Sequence, residues 1–207
     1  YINKEPFLFI CRSDYETQNF VQTELSTLGF EEDRYEVVVL DAPTRGQAET
    51  VALGLRASQR DLDTVLTIFN VDTVRHNFQR TKFSKDSQGY LEVFLGEGDH
   101  WSFVLPEASE NLQKGRVMAV REKERISPLC SNGLYEFRSA REFLQLYDAQ
   151  VARGRENWEH GELYIAPLYQ LGLDKGLIFH YTTCDMQDLE FCGVPREYED
   201  LLRRFGS

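Results

Sequence analysis

YEVVVLDAPTRGQAETVALGLRASQRDLDTVLTIFNVDT, residues 35–73, is the stretch whose reading decides the fold. Its first six residues are a short run of β-branched and apolar side chains, the length of a strand. From Gly46 the period changes. Ala48, Val51, Ala52 and Leu55 fall at i, i+3, i+4 and i+7, one face of a helix over 46–57. TVLTIFN, 64–70, is a further apolar run bounded by turn residues and reads as another strand. Strand, helix, strand is the repeating unit of a parallel sheet with crossover helices. Ligands in such open sheets sit beyond the carboxyl ends of the strands, which selects the loops 41–47 and 70–73.

Upstream, residues 5–12 with PFLFIC at their centre read as a strand, and Ser13 caps a helix that runs to Leu28 and ends at Gly29. Downstream the character changes. Short strand candidates at 89–94, 101–105, 115–121 and 133–137 are separated by polar turns, which predicts a mixed or antiparallel part. Ser139 and Glu142 have capping-box spacing ahead of the apolar face Ala140, Phe143, Leu144, Tyr147 and Val151. Gly161 opens a helix to about Leu173. Pro195 starts a last helix with Tyr198, Leu201, Leu202 and Phe205 inward and Gly206 past its end. Nothing in the chain looks like a repeat or a linker, so 1–207 is read as one α/β domain.

A chain of 207 residues, 42% hydrophobic and carrying 14 Phe and 10 Tyr, can bury a full core without disulfide or metal staples. Its net charge of −11 disfavours attraction to nucleic acid or to an anionic membrane, so an anionic ligand needs a local basic pocket. Cys11, Cys130, Cys184 and Cys192 are dispersed, without C-x-x-C spacing, and are expected to be reduced, as in a cytoplasmic protein. His76, His100, His160 and His180 lack ligand-like spacing. No apolar run approaches the ~20 residues of a membrane span, and no signal peptide is visible.

Locally, the chemistry stays open. Asp72 follows an apolar strand, where an unpaired carboxylate must face a cleft, a metal or a donor, or else caps the next turn. A phosphoaccepting aspartate would look similar, although the antiparallel middle does not suit a regular receiver sheet. Backbone N–H groups at the start of the 46–57 helix, with Arg45, offer an anion or base-edge contact. Arg121, Glu122 and Lys123 end a strand, as a solvated edge commonly does.

In order along the chain, PTRGQAETV, TIFNVDT, WSFV, VREKERIS, SNGLYEF, GELYIAPLY and FCGVPREYEDLL resemble the sugar-nucleotide pyrophosphorylases, from Phe7 to Leu202. The resemblance implies a Rossmann-like, GT-A-type mixed sheet flanked by helices. It also implies a nucleoside triphosphate and a sugar 1-phosphate as substrates and Mg2+ as cofactor, and it leaves room for a homo-oligomer. Carried over by motif, Arg45, Gly46 and Gln47 contact the nucleotide, and Asp72 is a magnesium ligand. Glu122 and Lys123 are the Glu-Lys pair whose lysine approaches the sugar phosphate, while Asn132, Gly133 and Glu162 line the sugar. Two departures stand out. The family's Gly-rich, triphosphate-holding turn is expected before Tyr1, together with a first strand and helix, so the chain as given is expected to be inactive. At Phe191 relatives commonly carry a second metal-binding Asp; Glu190 and Asp188 are near but out of register. A GT-A glycosyltransferase normally shows Asp-x-Asp where this chain has Asn70-Val71-Asp72, and a non-catalytic nucleotide-sugar-binding module fits both departures.

Overall fold

Phe7–Arg12 (β1) and Tyr35–Leu40 (β2) pair in parallel, Phe7 opposite Tyr35 through Arg12 opposite Leu40, with the helix Thr17–Thr27 (α1) as the crossover. This computed structural model describes residues 5–14, 16–82, 84–107 and 112–205. The first helix begins later than its sequence signal. Ser13 donates its backbone N–H to Leu40 at 3.1 Å, so the chain still follows the strand ladder there instead of capping a helix.

Gln47–Ala57 (α2) buries the predicted face, with Ala48 and Ala52 fully enclosed and Val51 and Leu55 nearly so. The next strand corrects the sequence reading. Leu66–Ile68 (β3) keeps only three of the expected residues and pairs antiparallel with Leu129–Phe137 (β8), Leu66 opposite Phe137, instead of extending the parallel pair. The antiparallel middle is where it was expected: Gly89–Leu95 (β5), Ser102–Pro106 (β6), Lys114–Glu122 (β7) and β8. With His180–Thr183 (β9) they form a six-stranded mixed sheet in the order β3-β8-β5-β9-β7-β6, in which β5 and β9 are the parallel neighbours. Thr73–Arg75 (β4) and Leu189–Phe191 (β10) make a separate antiparallel pair.

Ala140–Ala152 (α3) starts as read. The Ser139 hydroxyl accepts the Glu142 N–H at 3.1 Å, a cap worth about 1 kcal/mol. The helix expected from Gly161 instead begins at Ala166 and runs to Asp174 (α4). Glu162 is extended and Leu163 is tied by two backbone hydrogen bonds to the turn before α2, so the helix starts after them, and Pro167 sits in its first turn, where its missing N–H costs nothing. Pro195–Phe205 (α5) closes the described chain, but of the face read as inward Tyr198 and Leu202 are exposed and only Leu201 is half-buried; Gly206 lies outside the described residues. Helices α2, α3 and α4 cover the main core, which includes Leu91, Val120, Phe137, Phe143, Tyr169 and Phe179. A second apolar cluster gathers Phe94, Phe103, Cys130, Cys184 and Leu189, with Trp101 and Phe191 against it. All four cysteines are free.

Candidate active site

The 41–47 loop is stapled to the segment before α4. Leu163 donates its N–H to the Arg45 carbonyl and accepts from the Ala48 N–H, both at 2.9 Å. Gly46 lies inside this ladder at φ 143°, and a Cβ there would stand 2.6 Å from the Leu163 carbonyl oxygen. No other residue type fits, because both the backbone angle and the space exclude a side chain. Arg45 is spent locally. Its guanidinium donates to Glu49 (Nε to Oε1, 2.8 Å) and lies over the Trp158 ring, while its N–H donates to Glu49 Oε2 at 2.6 Å. These donors hold the Glu49 carboxyl below the usual carboxylate range, with Tyr147 adding a hydroxyl at 3.2 Å.

The Gln47 amide donates to Asn70 Oδ1 at 2.6 Å. Asn70 in turn packs on Gly133, whose added Cβ would lie 2.5 Å from the Asn70 amide nitrogen, and whose φ of 87° again favours glycine. Helix α2, the end of β3 and the bulged middle of β8 therefore meet at Gln47, Asn70 and Gly133. Asn132 goes the other way. Its side chain is buried, donating to Glu92 Oε2 at 2.5 Å and accepting from the Leu134 N–H at 3.0 Å. Glu92 completes a bidentate pair with Arg75 at 2.7 and 3.0 Å.

At the far end of β7, Glu122 is buried and accepts from the Ser102 hydroxyl, and its N–H donates to Glu159 Oε2 at 2.9 Å. Burial raises both the Glu122 and the Glu159 carboxyls above their ordinary range. Lys123 follows in the left-handed region, φ 56°, uncommon for a residue with a side chain. Its N–H is fixed by the Trp101 carbonyl at 2.8 Å. Its ammonium donates to the Tyr164 hydroxyl at 2.8 Å, 4.7 Å from that ring's centre, which holds the lysine above its usual range. Glu162 is exposed on the same segment, one residue before Leu163.

Asp72 is exposed two residues beyond Asn70, a chain reach of ~7 Å. Its carbonyl accepts the Cys192 N–H at 2.9 Å, and its Oδ2 would lie 2.9 Å from a Cβ at Gly193. Phe191 turns into the second apolar cluster, 5.1 Å from Trp101 and 5.8 Å from Phe94, ring centre to ring centre. Glu190 cannot substitute for a carboxylate there, because strand alternation points it to the opposite face, where His76 and Arg204 hold it. Asp188 pairs with Asn77 and Arg75. Among the described residues no three His, Cys, Asp or Glu side chains gather as a metal cluster. Asp72 is a single exposed carboxylate, so a divalent cation held there would have to complete its shell with phosphate oxygens and water.

The structure thus joins Gly46, Gln47 and Gly133 through Asn70, and Gly46 to Lys123 through Leu163 and Tyr164. It leaves Asp72 on a neighbouring edge and turns Asn132 inward. The sequence reading did not single out Asn70, Glu159 or Tyr164. Asn70 and Tyr164 lie within quoted motifs, but nothing in a linear pattern shows which neighbour a polar side chain will meet.

No family model and no curated protein matches the chain. Among solved structures it is similar to a nucleoside-diphosphate-sugar pyrophosphorylase from Vibrio cholerae RC9, at 46% identity over 98% of this chain and 82% of that one, with a TM-score of 0.89. A UDP-glucose pyrophosphorylase complexed with UDP-glucose shares the fold at 10% identity, over 98% of this chain and 81% of that one, TM-score 0.73. An inositol-1-phosphate CTP transferase from T. maritima does so at 15% identity, over 92% and 71% of the two chains, TM-score 0.63.

Proposed function

Because the chain belongs to the nucleoside-diphosphate-sugar pyrophosphorylase family, we propose that it transfers a nucleotidyl group from a nucleoside triphosphate to a sugar 1-phosphate and releases pyrophosphate. The observation that carries this reading is the 46% identity to the Vibrio cholerae protein across 98% of the chain. In the reaction a phosphate oxygen of the sugar phosphate bonds to the α-phosphorus as the α–β bridging P–O bond breaks. There is little covalent work for the protein, so its task is alignment and charge neutralisation.

The residues divide that task. The Gly46 backbone and the unspent Gln47 amide groups read the edge of the base, with Asn70 fixing the Gln47 rotamer. Arg45 serves the nucleotide side by holding Glu49 and the turn. Lys123 offers its remaining N–H donors to the phosphate of the incoming sugar phosphate. Glu122 and Glu162 accept from sugar hydroxyls. Gly133 serves the sugar side by letting Asn70 lie against its backbone, and Asn132 contributes by anchoring that bulge from the inside. Asp72 holds Mg2+, which when bound neutralises phosphate charge.

The test is a pyrophosphate-release screen of the full-length gene product against a panel of nucleoside triphosphates and sugar 1-phosphates. The expected result is Mg2+-dependent release that needs both substrates. Asp72→Asn, which keeps shape and loses charge, should abolish it while leaving the melting temperature within a few degrees. Pyrophosphate release independent of any sugar phosphate overturns the reading; equal turnover in Asp72→Asn removes Asp72 as an essential ligand.

A further inference from the structure

Two cationic side chains border the ladder around Leu163, and they are treated in opposite ways. Arg45 is neutralised by a carboxylate, Glu49, through three hydrogen bonds that involve its side chain and its own N–H. Lys123 is held by a neutral phenol, Tyr164, although Glu122 and Glu162 are near enough to influence its ionisation. An exposed lysine held in one rotamer gives up conformational entropy. Its backbone sits in the left-handed region as well, a further cost for a residue with a side chain. Both costs are met without discharging the ammonium, which keeps its full charge and two free N–H donors.

The holder is itself placed by the nucleotide-side turn. Tyr164 follows Leu163, whose N–H and carbonyl close the ladder with Arg45 and Ala48, and Gly46 admits no side chain between them. The position of the ammonium is therefore fixed relative to that turn through a run of backbone hydrogen bonds and one phenol. We infer that Tyr164 is a positioning residue that holds the Lys123 ammonium, still charged, at a set place beside the Gly46–Gln47 turn, ready for the phosphate of the sugar phosphate. The identity of that anion rests on the pyrophosphorylase reading; the positioning rests on the geometry alone.

The experiment measures binding and turnover in the full-length protein, with glucose 1-phosphate and other sugar 1-phosphates and, separately, each nucleoside triphosphate, titrated by calorimetry. Tyr164→Phe keeps the ring and removes the acceptor, so sugar-phosphate affinity should fall about fivefold, the size of one hydrogen bond. Tyr164→Ala removes the ring contact as well and should cost roughly tenfold or more. In both variants triphosphate affinity should stay within twofold, and in steady state the loss should appear in KM for the sugar phosphate and not in kcat. A merely structural tyrosine would move both ligands together or neither. Unchanged sugar-phosphate affinity in both variants overturns the inference, as does a parent that binds no sugar phosphate, or an equal loss for the triphosphate. Tyr164-dependent binding of sugar phosphate without pyrophosphate release would sustain the inference while overturning the proposed reaction.

Discussion

Glu92 and Glu122 are both buried carboxylates on one sheet, and their surroundings differ in kind. Glu92, in the middle of β5, has a guanidinium on both oxygens and the Asn132 amide besides. Glu122, at the end of β7, has the Ser102 hydroxyl on its carboxylate, and burial raises its pKa. A saturated ion pair is architecture, because all its hydrogen-bonding capacity is used within the fold. An under-partnered carboxylate at a strand end, beside a lysine in a rare backbone conformation, is the arrangement that sites of chemistry show.

The largest effect should come from breaking the saturated pair. Arg75→Met leaves Glu92 buried without its cation and should lower unfolding free energy by about 3–5 kcal/mol, read by urea denaturation at pH 7. A loss under about 1 kcal/mol would mean that Glu92 finds water or another donor and that its pair is not architectural. Next is Gly46→Ala in the turn before α2. The methyl would meet the Leu163 backbone, and φ 143° is a glycine conformation, so the variant should lose about 3 kcal/mol. Thermal unfolding checks it; an unchanged midpoint would show that the ladder yields.

Lys123→Ala sharpens the contrast from the functional side. It should leave the fold intact and reduce kcat/KM for the sugar phosphate at least roughly tenfold, about 1.4 kcal/mol, whereas a merely solvated lysine would be worth about 0–1 kcal/mol in stability and nothing in kinetics. The smallest effect belongs to Glu122→Gln. A carboxyl whose folded pKa lies above its unfolded value of ~4.3 binds more protons when folded, so the parent loses stability as pH climbs through that window. The glutamine variant carries no such loss. Relative to the parent it should gain on the order of 1 kcal/mol between pH 4 and neutrality, the size of one poorly compensated buried polar group. A difference independent of pH would mean that burial does not raise the Glu122 carboxyl.

By itself the sequence determined where apolar faces and breakers fall. That was enough for β1, β2, α2 and α3, and for the extent of α5 though not its inward face, because period, caps and Pro or Gly punctuation are local properties. It also carried the motif resemblance from which the candidate site residues were named. Only the tertiary structure decided which strand pairs with which. β3 joined β8 in antiparallel instead of the β1–β2 pair, since pairing depends on edges brought together from more than 60 residues away. The same holds for the helix read from Gly161, delayed to Ala166 because Leu163 is tied to the Gly46 turn by two backbone hydrogen bonds. Side-chain commitments were equally illegible. Asn132 and Gly133 are neighbours in one motif, yet a bulge in β8 sends the first into the Glu92 pair and presents the second to Asn70. Tyr164 gave no linear signal at all, because its meaning lies in a lysine 41 residues away that the fold sets 2.8 Å from its hydroxyl.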